Sequence, residues 1–174
     1  MRSYGALHNV NRKDCMTLPT AIKENDKLLM DIGRETFAVE ANMVVGIVEA
    51  NRLHLLPSIH AALPSEKRRL IKGVITQRGE VIIVIGLENL LGLPPAQEER
   101  PYKIAIIKKD AATLGIYVGK RELSFLWKEE LANLEFKPSN ENYTLGFIDL
   151  SGKKIRLLDW QTIMEEIQKA ISSR

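Results

Sequence analysis

The chain has 174 residues, of which 45% are hydrophobic and 27% are charged, and its formal net charge is +3. This composition is ordinary for a globular protein and excludes a disordered or fibrous chain. No apolar run approaches the roughly 18 to 20 residues that cross a bilayer, and the N-terminal stretch lacks the apolar core of a secretory signal, so we expect a cytoplasmic protein that is not inserted in a membrane.

The first predicted elements follow a polar N-terminal stretch. Residues 1–26 are polar and aperiodic, which is typical of a flexible leader. From Lys27 onward, short β-rich runs alternate with turns. Within FAVEANMVVGIVEA, Gly46 predicts a β-bulge or a close backbone approach. Ser65 in LPSEKRRLIKG is a candidate N-cap for a helix of one or two turns.

A pair of similar segments follows. Residues 73–91 read GVITQRGEVIIVIGLENLL and residues 146–164 read GFIDLSGKKIRLLDWQTIM. Each places an apolar run, a turn ending in glycine, a second apolar run and an amphipathic segment at the same offsets. Gly79 and Gly152 stand where a hairpin turn requires positive φ. We therefore expect a duplicated unit made of a β-hairpin and a helix.

The remaining elements are also mostly strands. A hairpin is predicted around residues 110–113, and ELSFLW either continues it or begins a connecting segment. The last stretch, residues 159–171, is predicted to be an amphipathic helix. Its apolar stripe consists of Trp160, Ile163, Met164, Ile167 and Ile171. Many short strands with regular turns favour small barrels over a βαβ sheet, and the duplication indicates two barrels packed together.

The candidate chemical groups do not form a catalytic or metal-binding pattern. None of His8, His54 and His60 has a second ligand at metal-like spacing. The single cysteine, Cys15, excludes an internal disulfide and a thiolate cage. No nucleophile motif or phosphate-binding glycine loop is present either. We therefore predict no catalytic residue, no metal and no cofactor.

Two features leave a binding function open. The pI is near 9.0 and short Lys/Arg groups recur along the chain, which would suit a small-barrel nucleic-acid-binding protein. Aromatic residues make up only 6% of the chain, however, and single-strand binders use aromatic rings as stacking platforms. Arg78 lies in a tight hairpin turn, where its guanidinium could anchor a carboxylate of the fold or of a partner, or could simply be exposed.

The stretch GVITQRGEVIIVIGLENLLGLP resembles the signature of the CheW-like family, the coupling proteins of bacterial chemotaxis. The residues shared with that signature are Gly73, Val74, Ile75, Arg78, Gly79, Val81, Ile82, Val84, Ile85 and Leu87. The resemblance spans about residues 27–171. It implies a single domain over residues 27–174, made of two five-stranded SH3-like β-barrels with short helices and a hydrophobic layer between the barrels.

The same resemblance implies a non-enzymatic adaptor in chemotaxis-type signal transduction. The expected partners are the cytoplasmic tip of a chemoreceptor (a methyl-accepting protein), bound in a groove between the barrels, and the regulatory domain of a histidine kinase, bound at a barrel edge. The residues expected to bind these partners are Val44, Ile47, Ile75, Arg78, Gly79 and Val81. The chain departs from the family pattern at Gly46 and Gly86, where acidic residues are usual, so that Arg78 is expected to lack its internal ion-pair partner.

Overall fold

The fold was analysed in a computed structural model, which describes residues 26–57, 61, 65, 69–94, 100–118 and 123–172. The strands are β1 (Lys27–Ile32), β2 (Glu35–Glu40), β3 (Val44–Ala50), β4 (Ile71–Gln77), β5 (Glu80–Ile85), β6 (Tyr102–Lys109), β7 (Ala112–Tyr117), β8 (Leu123–Leu126), β9 (Phe136–Pro138), β10 (Thr144–Leu150) and β11 (Lys153–Leu158). The helices are α1 (Leu87–Leu90), α2 (Lys128–Leu131) and α3 (Trp160–Ser172).

The strands form two sheets, which confirms the prediction of a mainly β protein with two small barrel-like units and a C-terminal helix. Sheet A has the strand order β8-β1-β2-β11-β10-β9, and sheet B has the order β3-β6-β7-β5-β4. Sheet B has the five expected strands, whereas sheet A gains a sixth, the three-residue strand β9. In sheet B the corresponding position holds a single bridge between His54 and Val74. ELSFLW contributes β8, which pairs with β1 of sheet A instead of continuing the β6–β7 hairpin.

The two halves of the chain follow the same order of elements but exchange partners. Each half contains a hairpin, a single strand, a second hairpin and a helix: β1–β2, β3, β4–β5 and α1 in the first half, and β6–β7, β8, β10–β11 and α3 in the second. Sheet B combines β3, β4 and β5 with the β6–β7 hairpin of the second half. Strands from the two halves are connected by parallel pairing, of β5 with β7 in sheet B and of β11 with β2 in sheet A. Each sheet is therefore built from both halves.

The duplicated hairpins close with the same turn. Arg78 and Gly79 have φ values of 51° and 82°, and Ser151 and Gly152 have φ values of 53° and 82°. Two consecutive residues with positive φ are typical of a type I′ turn, whose twist matches that of the flanking strands. The turn positions predicted from the two glycines are thus confirmed.

The first glycines of the repeat are required by close backbone contacts. A Cβ atom on Gly73 would lie 2.9 Å from the His54 carbonyl oxygen, and one on Gly146 would lie 2.4 Å from the Lys137 carbonyl oxygen. Real Cβ atoms do not approach so closely, so a side chain at either position would displace the neighbouring segment. This contact explains why both copies of the repeat begin with glycine.

The core has three hydrophobic clusters. The largest draws side chains from both sheets and from α3, and it is called the central layer below. Its members from sheet A are Leu28, Met30, Ile32, Phe37, Val39, Leu123, Phe125 and Leu158, and those from sheet B are Val44, Ile47, Ile85, Ala105, Ile107, Leu114 and Ile116. The second and third clusters lie on the other faces of sheets B and A.

Alternation along the strands produces this layering. In β1, Leu28 and Met30 join the central layer, while Leu29 joins the cluster of sheet A alone. Successive side chains of a strand point to opposite faces, so a strand buried on both faces is hydrophobic along its length. Helix α3 covers the central layer with Trp160 and Ile163, as its apolar stripe predicts.

Some predictions from the sequence concern residues that the structure does not describe. Of the predicted leader, only Asp26 is described; it is buried, and its carboxylate accepts a hydrogen bond from the Lys128 backbone N–H at 2.7 Å. Of the predicted helix after Ser65, residues 66–68 are not described. Within the described part, no helix is both long and apolar enough to span a membrane.

Candidate protein-binding surface

The β4–β5 hairpin presents an exposed turn at one end of sheet B. Arg78 and Gly79 form the turn and are both exposed. Among the described residues, no carboxylate lies within ion-pair distance of Arg78. The structure therefore places a guanidinium on an exposed type I′ turn, as its position in the sequence predicts.

Val81 is the most exposed apolar side chain of the β4–β5 hairpin. Its side chain is 61% exposed, although it stands next to Ile82, which is 3% exposed and belongs to the core of sheet B. Val81 faces Thr76 across the hairpin, and Glu80 faces Gln77. Protein-contact surfaces typically have an apolar centre with polar groups around it, and Val81 and its neighbours have this composition on a small scale.

A second turn lies at the same end of sheet B. Strands β5 and β7 run parallel with Val84 opposite Gly115, so the turn before β5 and the turn before β7 meet at one sheet end. The turn before β7 contains Asp110, which is exposed and has a φ of 54°. The exposed residues of the two turns are called the tip surface below. Its members are Arg78, Gly79, Glu80, Val81, Asp110 and Ala111.

The other three residues expected to bind partners have buried side chains. Val44 and Ile47 are 4% and 5% exposed and pack in the central layer, and Ile75 is 6% exposed inside sheet B. Val44 and Ile47 lie in the core between the sheets, and Ile75 lies in the core on the other face of sheet B. Their part in partner binding stays a prediction.

Val45 is an exposed residue that the sequence analysis did not single out. The pairing of β3 with β6 shifts between Val44 and Gly46, which confirms the predicted bulge at Gly46. The extra residue in the bulge, Val45, is 53% exposed. The signal was present in the sequence, because an interruption of strand pairing reverses the side on which the next residue points.

The first departure from the family pattern leaves space beside β3. A Cβ atom on Gly46 would meet no heavy atom within 4 Å. A larger side chain could therefore be accommodated at this bulge without moving its neighbours. In this chain the position carries no charge that could pair with Arg78.

The second departure, at Gly86, is linked to a buried ion pair. Glu88 is 1% exposed, and its Oε1 atom lies 2.6 Å from Nζ of Lys72. A Cβ atom on Gly86 would lie 2.6 Å from Cε of Lys72 and 2.8 Å from Oε1 of Glu88. The ion pair thus fills the space that a side chain at position 86 would need.

The equivalent position in the other hairpin shows what Gly86 lacks. Asp159 precedes α3, and its carboxylate accepts hydrogen bonds from the Thr162 backbone N–H at 3.2 Å and from the Thr162 hydroxyl at 2.8 Å. This is an N-cap, which satisfies a free backbone donor of the helix. Gly86 precedes α1 without a side-chain cap, and α1 extends over only four residues.

The charged groups of the tip surface are the guanidinium of Arg78 and the carboxylates of Glu80 and Asp110. The described residues include no group of three His, Cys, Asp or Glu side chains that could hold a metal ion. One residue far from the turns has a shifted pKa: burial and, to a smaller extent, the charge of Glu166 raise the pKa of Tyr143 above 10.0. The chemistry available at the tip surface is ion pairing, hydrogen bonding and apolar contact.

The fold is that of a mainly β protein built from two small barrel-like units, with an exposed hairpin at one end of sheet B. A family model described as the CheW-like domain matches residues 26–168, so the chain belongs to the CheW-like family. Among solved structures, the chain is similar to the scaffolding protein TtCheW from Thermoanaerobacter tengcongensis, with 17% sequence identity and a TM-score of 0.60. That match covers 79% of this chain and 90% of the other. The comparison with curated proteins finds no match.

Proposed function

We propose that this protein is a non-enzymatic scaffold of chemotaxis-type signal transduction, acting in the cytoplasm. In this role it couples the cytoplasmic tips of methyl-accepting receptors to the regulatory domain of a histidine kinase. Membership of the CheW-like family supports the proposal, and so does the fold shared with the scaffolding protein TtCheW.

The observation that carries the proposal is the exposed apolar and charged hairpin at the end of sheet B. Val81 is 61% exposed on a strand whose next residue belongs to the core. Arg78 extends beside it and has no ion-pair partner among the described residues. Because β4 and β5 pair up to Gln77 and Glu80, the backbone of the turn is already ordered and little backbone entropy is lost when a partner binds there.

The two side chains have separate roles in this proposal. The guanidinium of Arg78 binds a carboxylate of the partner through charge-assisted hydrogen bonds, and Val81 packs against an apolar side chain beside that carboxylate. Val44 and Ile47 anchor β3 in the central layer, and Ile75 anchors β4 in the core of sheet B. Val45 is exposed on β3, at the other edge of sheet B.

Titration calorimetry with the purified protein tests the proposal. A receptor-tip fragment and a kinase regulatory domain are titrated separately into the wild-type protein and into Val81→Asp. The substitution places a charge in an apolar contact, so we expect at least one partner to bind roughly tenfold more weakly, a change of about 1.4 kcal/mol.

Leu145→Asp is the matched control. Leu145 is 49% exposed and lies on β10 of sheet A, so this variant introduces the same charge at a similarly exposed apolar position of the other sheet. Binding by Leu145→Asp should equal that of the wild type. If neither partner binds the wild-type protein, the proposed function is wrong; if both bind Val81→Asp normally, the tip surface is not the contact.

A further inference from the structure

We draw no further inference here: the strongest candidate, the cavity of about 540 Å³ beside helix α1 that is lined by Arg69, Glu88 and Asn89, carries no proposal because both carboxylate oxygens of Glu88 are closed off from solvent beside Lys72 and nothing in the structure shows what would fill the cavity.

Discussion

Arg78 combines an unfavourable backbone conformation with a charge that has no ion-pair partner in the described part of the chain. Its φ of 51° lies in the left-handed region, which a residue with a Cβ atom rarely adopts. A residue held in such a conformation costs of order 1 kcal/mol or more, and this cost recurs at functional positions. Ser151 has nearly the same φ in the equivalent turn, so this backbone cost belongs to the turn type and a binding role for Arg78 has to be tested through its guanidinium.

Replacing Arg78 with alanine separates this binding role from folding. Alanine keeps the Cβ atom and therefore the backbone cost, and an exposed charge contributes only about 0 to 1 kcal/mol to folding. We expect Arg78→Ala to change the Tm by no more than about 4 °C, since 1 kcal/mol corresponds to roughly 2 to 4 °C in a chain of this size. Affinity for the receptor-tip fragment or the kinase regulatory domain should fall roughly tenfold, as measured by calorimetry.

Ser151→Ala is the matched control for this variant. Ser151 occupies the equivalent turn position in the β10–β11 hairpin, with a φ of 53°. The control should bind both partners as the wild type does. A large drop in Tm for Arg78→Ala with unchanged affinity would mean that Arg78 is structural, and would remove it from the proposed surface.

A second prediction at the scale of single residues concerns the ion pair of Lys72 and Glu88. Lys72 is 15% exposed and Glu88 is 1% exposed, so removing the carboxylate leaves a largely buried ammonium group without this partner. Breaking a fully buried pair costs about 3 to 5 kcal/mol, and the partial exposure of Lys72 reduces this cost. We expect Glu88→Gln to lower the free energy of unfolding by about 2 kcal/mol in urea denaturation.

A double variant distinguishes pairing from packing at this position. Lys72→Met combined with Glu88→Leu replaces both charges with apolar groups of similar length. Its free energy of unfolding should lie closer to the wild-type value than that of Glu88→Gln does, because no largely buried ammonium group has then lost its carboxylate. An equal or larger loss in the double variant would show that the ion pair is not the source of the effect.

At the scale of elements, the bulged strands β3 and β10 provide a matched pair of glycines. Both strands have a register shift, between Val44 and Gly46 in β3 and between Thr144 and Gly146 in β10. A Cβ atom on Gly146 would lie 2.4 Å from the Lys137 carbonyl oxygen and 2.5 Å from the Phe136 ring, whereas one on Gly46 would meet nothing within 4 Å.

The same substitution should therefore have opposite effects at these two positions. Gly146→Ala should lower the free energy of unfolding by more than about 2 kcal/mol, because β9 must move away from β10. Gly46→Ala should leave it unchanged or raise it by up to about 1 kcal/mol, because alanine reduces the entropy of the unfolded chain. Chemical denaturation of the two variants checks both values, and equal losses would contradict the close contact at Gly146.

At the scale of the whole molecule, the exchange of hairpins makes the two sheets interdependent. Sheet B needs the β6–β7 hairpin from the second half of the chain, and sheet A needs the β1–β2 hairpin from the first half. The central layer also draws side chains from both sheets. Neither barrel-like unit can lose its structure without exposing the core of the other.

We therefore expect the protein to unfold in a single cooperative transition. Far-UV circular dichroism reports on both sheets, and tryptophan fluorescence reports on the central layer through the buried Trp160 and the half-buried Trp127. The two signals should follow superimposable curves in urea. Two separated midpoints would mean that the barrel-like units unfold independently.

Much of this architecture could be predicted from the sequence because its signals are local. A turn glycine, an alternating apolar run and a helical stripe depend on residues within a few positions of one another. The two hairpins, the bulge at Gly46, the C-terminal helix and the resemblance of residues 73–94 to a family signature all belong to this class. So does the exposure of Arg78, which follows from its place in a two-residue turn.

Only the tertiary structure decided which hairpins pair, which predicted contact residues are buried, and how Gly86 is accommodated. These features depend on contacts between segments far apart in the chain. The free energy that stabilises them comes from burying surface between those segments, which a short stretch of sequence does not reveal. Val44, Ile47 and Ile75 look like candidate contact residues on a strand in isolation, but Val44 and Ile47 are buried between the two sheets and Ile75 is buried on the other face of sheet B. The pairing of Lys72 with Glu88 exists because the β4–β5 hairpin and α1 bring the two charges into a space that Gly86 leaves open.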